Sequence, residues 1–159
     1  MTLLKDMAIV ALGGGVGSAL RYLVGRLFSG DIPGVGRIFG GRGSACRALN
    51  GGEASEVNLL VIKMFGSGFP WGTLAVNVVG ALLIGVLYGL AERGNISSSE
   101  VRLLLMAGFC GGFTTFSALM GENLTMLRAG EFLPFALYTA ASLLVGLAAV
   151  WLGWWMVQR

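Results

Sequence analysis

Four long apolar segments constrain this chain more than any other feature. A bilayer core about 30 Å thick requires about 20 mostly apolar helical residues. Four segments meet that length: residues 3–28, 71–90, 101–128 and 132–157. Hydrophobic residues make up 55% of the 159 residues and charged residues only 12%, a composition that is unusual for a soluble domain. The sequence therefore predicts one all-α integral membrane domain with four transmembrane helices and a long loop over residues 29–69.

Residues at the segment ends support these boundaries. Pro70 precedes the second segment, and Pro134 lies in the first turn of the fourth segment, where the missing N–H is tolerated. Ser97 and Glu100 have the spacing of a capping box at the start of the third segment. Because there are four crossings, both chain termini are expected on the same side of the membrane.

The basic residues are nearly balanced between the two sides of the predicted bundle. One side carries Lys5, Arg93, Arg102 and Arg159. The opposite side carries Arg26, Arg37, Arg42, Arg47, Lys63 and Arg128. Cytoplasmic loops usually have a clear excess of Lys and Arg, and this difference is small. We therefore expect a multi-pass protein of the cell (inner) membrane that can insert in either orientation.

The composition argues against several other classes of protein. The sequence contains no histidine, and Cys46 and Cys110 lack the spacing of a metal site. Acid–base and metal-assisted catalysis therefore have few candidate residues. The formal net charge of +3 is also too small and too scattered for a nucleic-acid surface. We predict that the chain is not an enzyme and does not bind nucleic acid.

The third segment contains the stretch GFCGGFTTFSALM over residues 108–120. Gly111 and Gly112 weaken a helix, and the hydroxyl side chains that follow can satisfy backbone groups released by a break. Non-helical backbone at membrane depth is tolerated only where it is buried in protein or lines a cavity, and released carbonyls are good ligands for a hard cation. The stretch therefore predicts a third helix that is broken near its middle, with an ion site at the break.

Polar side chains also occur in the other predicted helices. A charge at the centre of a membrane helix costs about 2.5–3.5 kcal/mol on insertion scales, so Arg21 and Glu122 should face protein, water or an interface. For Arg21, structural hydrogen bonding, snorkelling to the headgroups and attraction of anions all remain open. Asn77 adds a carboxamide to the second helix. Tyr138 and Ser142 are four residues apart, so they share one face of the fourth helix.

Aromatic and small residues complete the pattern. Phe116 follows the two threonines, and the positive edge of its ring can favour an anion without holding it tightly; ordinary core packing is the alternative. Pairs of glycines four residues apart predict close approach of helix backbones within a bundle and a dimer. These pairs are Gly13 with Gly17, Gly85 with Gly89, and Gly108 with Gly112.

Taken in order along the chain, these motifs resemble those of the Fluc (CrcB) family of fluoride channels. The resemblance rests on GGGVGSALRY at residues 13–22, PWGTLAVNVVG at 70–80, GFCGGFTTFS at 108–117, and the Y...S...G pattern of the fourth helix. The long segment between the first two helices lies outside it. The resemblance implies a fluoride-selective channel that exports fluoride passively, built as an antiparallel, dual-topology homodimer with two pathways along the subunit interface.

The resemblance also implies roles for individual residues. A structural sodium ion at the dimer centre would bind the backbone carbonyls of Gly111 and Thr114 from both subunits. Arg21 corresponds to the arginine of the family's first helix, a structural position. The residues that correspond to the fluoride pathway are Asn77, Thr115, Phe116, Ser117, Glu122, Tyr138 and Ser142.

The chain departs from the family pattern directly after Ser117. Leu119 stands where the family has its second pore phenylalanine, and Ala118 and Met120 replace two hydroxyl positions. Two hypotheses follow. Either fluoride passes a homodimer that has Leu119 at this position and uses Phe116 and Asn77, or the chain is the non-conducting half of a heterodimer with a homologue.

Two further functions are compatible with a small membrane bundle. A dual-topology multidrug exporter would be expected to have an acidic residue in its first helix, where this chain has Arg21. A non-transporting membrane subunit would use its glycine faces only for assembly. If the chain is such a non-transporting subunit, replacement of Asn77 or Phe116 should leave cellular fluoride tolerance unchanged.

Overall fold

The structure is a computed structural model that describes residues 2–29 and 69–159. The predicted loop over residues 29–69 lies outside the described residues, except for positions 29 and 69. We label the helices in chain order as α1 (Thr2–Ser29), α2 (Trp71–Glu92), α3 (residues 99–113), α4 (Phe116–Arg128) and α5 (Phe132–Gln158). Four stretches are long and apolar enough to cross a membrane: Leu3–Leu27, Trp71–Glu92, Ser99–Arg128 and Phe132–Gln158. The prediction of four membrane-spanning helices is confirmed.

The third membrane span is irregular before it breaks. Within α3, a regular turn at Ser99–Arg102 is followed by a π-helix at Leu103–Cys110 and a short α-helical piece at Gly111–Phe113. Thr114 and Thr115 then adopt extended backbone angles, with φ/ψ of −78°/158° and −148°/110°. The third span is therefore divided into α3 and α4 at these two threonines, as the sequence predicts.

The cap of α3 differs from the predicted one. Ser98 is the N-cap residue, and its hydroxyl accepts a hydrogen bond from the backbone N–H of Val101. Ser97 instead donates its hydroxyl to the carbonyl of Gly94 in the preceding turn. The prediction of a capping box at Ser97 was wrong because each of three adjacent serines can fill the cap position, and the hydroxyl of Ser97 is bonded to the preceding turn instead.

Glycines bring the helix backbones into direct contact. A methyl group on Gly17 would lie 2.8 Å from the backbone nitrogen of Phe113, and one on Gly13 would lie 2.9 Å from that of Phe109. On the other side of the bundle, a methyl group on Gly85 would lie 2.9 Å from the carbonyl carbon of Val150. The predicted close packing therefore occurs within one chain, between α1 and α3 and between α2 and α5.

The bundle has an apolar core on the α4 side of the break. Leu119 and Met126 on α4 pack with Tyr138 on α5, and Phe69, Leu74 and Phe135 cover this cluster. A turn with Gly130 at φ of 75° joins α4 to α5, so the two helices run antiparallel. On the outer surface, large apolar side chains of α1 and α5 are exposed, as expected for helices that face lipid tails.

Candidate ion pathway at the break in the third span

A carboxamide from the neighbouring helix holds the break. The backbone N–H of Thr115 donates to Oδ1 of Asn77 at 2.7 Å, and Nδ2 of Asn77 donates to the carbonyl of Thr115 at 3.1 Å. Unpaired backbone groups at membrane depth cost several kcal/mol each. One asparagine side chain therefore satisfies both a donor and an acceptor that the break takes out of the helix. We call this pair of hydrogen bonds the Asn77–Thr115 clamp.

The clamp releases backbone carbonyls from their regular helical partners. In a continuous helix the carbonyl of Gly111 would accept from the N–H of Thr115, but that N–H donates to Asn77. Likewise the carbonyl of Thr114 would accept from the N–H of Ala118, which instead donates to Oγ1 of Thr115. The predicted sodium ligands, Gly111 and Thr114, are therefore residues whose helical N–H partners donate elsewhere.

One cavity lies beside these carbonyls. It has a volume of about 370 Å³, and Gly111, Thr114, Asn77 and Phe116 are among the residues that line it. Its other walls are largely apolar. Phe116 is 68% exposed, and Gly111 is also exposed, so the cavity opens on the outside of the single chain. We call it the carbonyl cavity.

A second cavity lies next to the clamp and has a different chemistry. Its volume is about 460 Å³, and its lining includes the guanidinium-bearing Arg21 and the hydroxyl-bearing Thr73, Thr115 and Ser117. Oγ1 of Thr115 and Oγ of Ser117 lie 3.3 Å apart. Arg21 is half-buried and forms no ion pair with the residues that the structure describes. We call this space the arginine cavity, and its charge and donors suit an anion.

A carboxylate with two hydroxyl donors lies next to Thr73, one of the residues that line the arginine cavity. The hydroxyls of Thr73 and Tyr138 each donate to the carboxylate of Glu122 at 2.6 Å. Tyr138 is fully buried, and its ring meets that of Phe69 edge-on at 5.3 Å. Helices α2, α4 and α5 therefore meet at Glu122. Its side chain faces protein, as expected because a charged side chain that faces lipid is costly. Thr73 was not identified from the sequence.

The remaining predicted pathway residue, Ser142, is placed differently from the rest. Its hydroxyl is buried without a hydrogen-bond partner among the described residues, and Ser142 lines neither cavity. The three residues that depart from the family pattern also separate. Leu119 is only 4% exposed and packs in the core, Ala118 lines the arginine cavity, and Met120 is exposed.

A further polar residue of this region, Asn123, was not identified from the sequence. Asn123 directly follows Glu122 and is only 3% exposed, and neither atom of its carboxamide has a partner among the described residues. The sequence signal was a carboxamide on the apolar face of a membrane helix, four residues after Leu119 and three before Met126.

The fold and the site define a class of protein: a small four-span membrane protein whose broken third span separates a cationic cavity from a carbonyl-lined one. The family model described as "CrcB-like protein, Camphor Resistance (CrcB)" matches residues 8–154. The chain belongs to the CrcB family.

Curated relatives cover almost the whole chain. Proteins from Bacteroides fragilis, Phocaeicola vulgatus and Hyphomonas neptunium are 46%, 35% and 38% identical to it. Each alignment covers 98% of this chain and at least 98% of the relative. All three relatives are named "Fluoride-specific ion channel FluC". The family predicted from the motifs is confirmed, and with its four apolar spans the chain is a multi-pass protein of the cell membrane.

Proposed function

We propose that this chain forms a fluoride-selective ion channel that lets fluoride leave the cell passively and so lowers its cytoplasmic concentration. The observation that carries the proposal is the Asn77–Thr115 clamp, which holds a helix break beside a cavity with one cationic side chain and several hydroxyls. The relatives named as fluoride-specific channels support the choice of ion.

The arginine cavity is suited to receive the anion. Arg21 raises the local concentration of anions, while the hydroxyls of Ser117 and Thr115 can replace part of the hydration shell of fluoride. Phe116 then offers the positive edge of a ring instead of a full charge. Rapid conduction requires binding that is strong enough for entry and weak enough for release. A single cation at the mouth, followed by neutral donors, meets both requirements.

A second copy of the chain in the opposite orientation would complete the site. The carbonyl cavity is open on the outside of one chain, with Phe116 and Gly111 exposed, and the small difference in basic residues between the two sides permits either orientation. Leu119 packs in the core and lines neither cavity. This placement favours a homodimer over the heterodimer, because the leucine leaves no gap in either cavity wall.

The released carbonyls of Gly111 and Thr114 fit a structural sodium ion. Carbonyl oxygens are the ligands that hard cations prefer, and these two have lost their helical donors, one to Asn77 and the other to the hydroxyl of Thr115. When bound, the ion would supply a fixed positive charge and link two copies at their shared centre. We expect replacement of Na⁺ by N-methyl-D-glucamine during purification to weaken the dimer on size-exclusion chromatography, with refilling by Na⁺ restoring it. No change on removal and refilling would contradict a structural role for sodium.

Fluoride efflux from liposomes tests the proposed function. Purified chain is reconstituted into vesicles loaded with potassium fluoride, and a fluoride electrode records release after valinomycin is added. We expect release far faster than from protein-free vesicles, and no matching release of chloride from vesicles loaded with potassium chloride. Equal fluoride and chloride fluxes would contradict the selectivity. Fluoride release by this chain alone would exclude an obligate heterodimer, whereas release at the protein-free level would contradict conduction by a homodimer.

A further inference from the structure

Two buried asparagines of the membrane region have opposite hydrogen bonding. The carboxamide of Asn77 makes two hydrogen bonds to the backbone of Thr115. The carboxamide of Asn123 has no partner for Nδ2 or for Oδ1 among the described residues, although it is only 3% exposed. The structural role of Asn77 therefore explains why this position has a carboxamide. No contact among the described residues explains the carboxamide of Asn123.

The position of Asn123 makes its missing partners more significant. It lies on the buried stripe of α4 between Leu119 and Met126, and these two side chains pack around Tyr138 in the apolar core. A buried carboxamide without partners is costly in such surroundings. A leucine would fit the same stripe and remove that cost. The carboxamide consequently weakens the packed chain, and a partner that arrives from outside the fold would explain its presence.

The neighbouring donors are already committed to Glu122. The hydroxyls of Thr73 and Tyr138 both point their hydrogens at its carboxylate. In the part of the chain that the structure describes, the buried side-chain polar atoms without a partner are Nδ2 and Oδ1 of Asn123 and Oγ of Ser142. Among the buried side chains of the described residues, the donors left for a passing anion are therefore the carboxamide of Asn123 and the hydroxyl of Ser142.

These two donors lie on opposite sides of the Glu122–Tyr138 hydrogen bond. Helices α4 and α5 are antiparallel, so Ser142, one turn after Tyr138, lies toward the break. Asn123, one residue after Glu122, lies away from it. A donor before the hydrogen bond and another after it would give an anion successive binding positions along the contact between α4 and α5. Several weak positions in series are what conduction requires.

We propose that the carboxamide of Asn123 binds fluoride and is a further residue of the pathway, on the side of Glu122 away from the break. The proposal rests on the proposed function, since it needs fluoride to pass along α4. The two hydrogens of Nδ2 are neutral donors, so they can hold a small anion without a charge that would trap it. The two hydroxyls bonded to Glu122 direct their hydrogens at its carboxylate and partly screen it from this position.

Substitutions that remove the donor separate this role from packing. Asn123→Leu removes the donor and fills the apolar stripe, so we expect its thermal midpoint in detergent to stay level or to rise by about 2–4 °C. Fluoride efflux from liposomes should nevertheless fall by about tenfold or more, because a hydrogen bond to an ion is lost. Lower flux without lower stability is the combination that a purely structural role would not produce.

A matched pair of smaller side chains makes the test independent of the leucine variant. Asn123→Ser retains a donor and Asn123→Ala does not, while the two differ by a single hydroxyl oxygen. We expect efflux within about threefold of the unaltered chain for serine and the larger loss for alanine. Thr125→Val serves as a control on the same helix, since Thr125 is exposed and its hydroxyl bonds to its own backbone at Gly121; its efflux should match that of the unaltered chain.

The outcomes separate this proposal from the function on which it rests. If the unaltered chain conducts fluoride and Asn123→Leu conducts equally well, the role of Asn123 is wrong and the channel assignment stands. Equal efflux from the serine and alanine variants would likewise overturn it. If the unaltered chain releases no fluoride at all, the proposed function itself fails, and with it the proposed role of Asn123.

Discussion

The two halves of the third membrane span are built on different principles. The half before the break, α3, has apolar side chains and Gly108 over its π-helix Leu103–Cys110, and it contacts α1 through backbone atoms. The half after the break, α4, carries Ser117, Glu122 and Asn123, and side chains make its contacts with α2 and α5. Backbone contact fixes position in the first half, and polar side chains provide chemistry in the second.

This difference assigns separate tasks to the two halves. Backbone-to-backbone packing through small residues gives a membrane bundle rigidity without polar groups, so α3 serves as the fixed support. Side chains on α4 can then present donors at defined positions, since Thr115 caps the helix and Asn77 anchors the break. Substitutions in α3 should therefore affect stability first, while substitutions on the open face of α4 should affect ion flux first.

The largest expected effect separates two residues of α4 that are three positions apart. Leu119 is 4% exposed and Phe116 is 68% exposed. Leu119→Ala removes core packing and should lower the free energy of unfolding by about 2–5 kcal/mol. Phe116→Ala should leave the thermal midpoint unchanged within error, while it lowers fluoride efflux by about tenfold, because the aromatic edge beside the pathway is lost. Thermal melting in detergent and efflux from liposomes check the pair. A reversed pattern would contradict the assignment of Phe116 to the pathway.

The next effect tests the supporting role of α3. Gly17→Ala places a methyl group 2.8 Å from the backbone nitrogen of Phe113, and we expect a loss of about 1–3 kcal/mol of stability from overpacking. Gly15→Ala on the same helix is the matched control, since a methyl group there would have no atom within 4 Å. The control should be neutral or slightly stabilising, because alanine favours a helix. Equal destabilisation by both substitutions, measured by thermal melting, would show that the close contact between α1 and α3 is not what holds them together.

A smaller effect is expected where the chemistry of α4 depends on one hydrogen bond. Tyr138→Phe keeps the buried ring and removes the donor to Glu122. The loss of stability should be only about 0.5–1.5 kcal/mol, since single hydrogen bonds within membrane bundles contribute modestly. Thr139→Val is a suitable comparison on the same helix, because its hydroxyl bonds to the backbone of Phe135 and lies outside both cavities. We expect efflux to change for Tyr138→Phe and not for Thr139→Val. The same efflux from both variants would remove Tyr138 from the pathway.

The sequence predicted what depends on local composition. Runs of apolar residues fixed the four spans, and glycines followed by threonines fixed the break, since each signal lies within one segment. Even so, the predicted cap of α3 was misplaced by one residue because Ser97, Ser98 and Ser99 are chemically alike. The π-helix was not predicted, since we found no sequence pattern that indicates it.

Contacts between distant segments account for most of what could not be predicted. Asn77 and Thr115 are 38 positions apart, and Thr73 and Glu122 are 49 apart, so their partnership depends on how the helices pack. The motif predicted a pathway role for Asn77, but only the structure shows that its carboxamide holds the break. Asn123 was overlooked for the related reason that its significance lies in the lack of partners, which only a packed structure can reveal.

The central claim is that the Asn77–Thr115 clamp creates the pathway for fluoride. Its most direct test compares fluoride efflux from liposomes that contain equal amounts of the unaltered chain, of Asn77→Leu, or of Asn95→Ala, a control in an exposed turn. The account predicts rapid efflux from the unaltered chain and the control, and efflux at the protein-free level from Asn77→Leu, because two backbone groups at the break would lose their partners. Efflux from Asn77→Leu equal to that of the unaltered chain would contradict it.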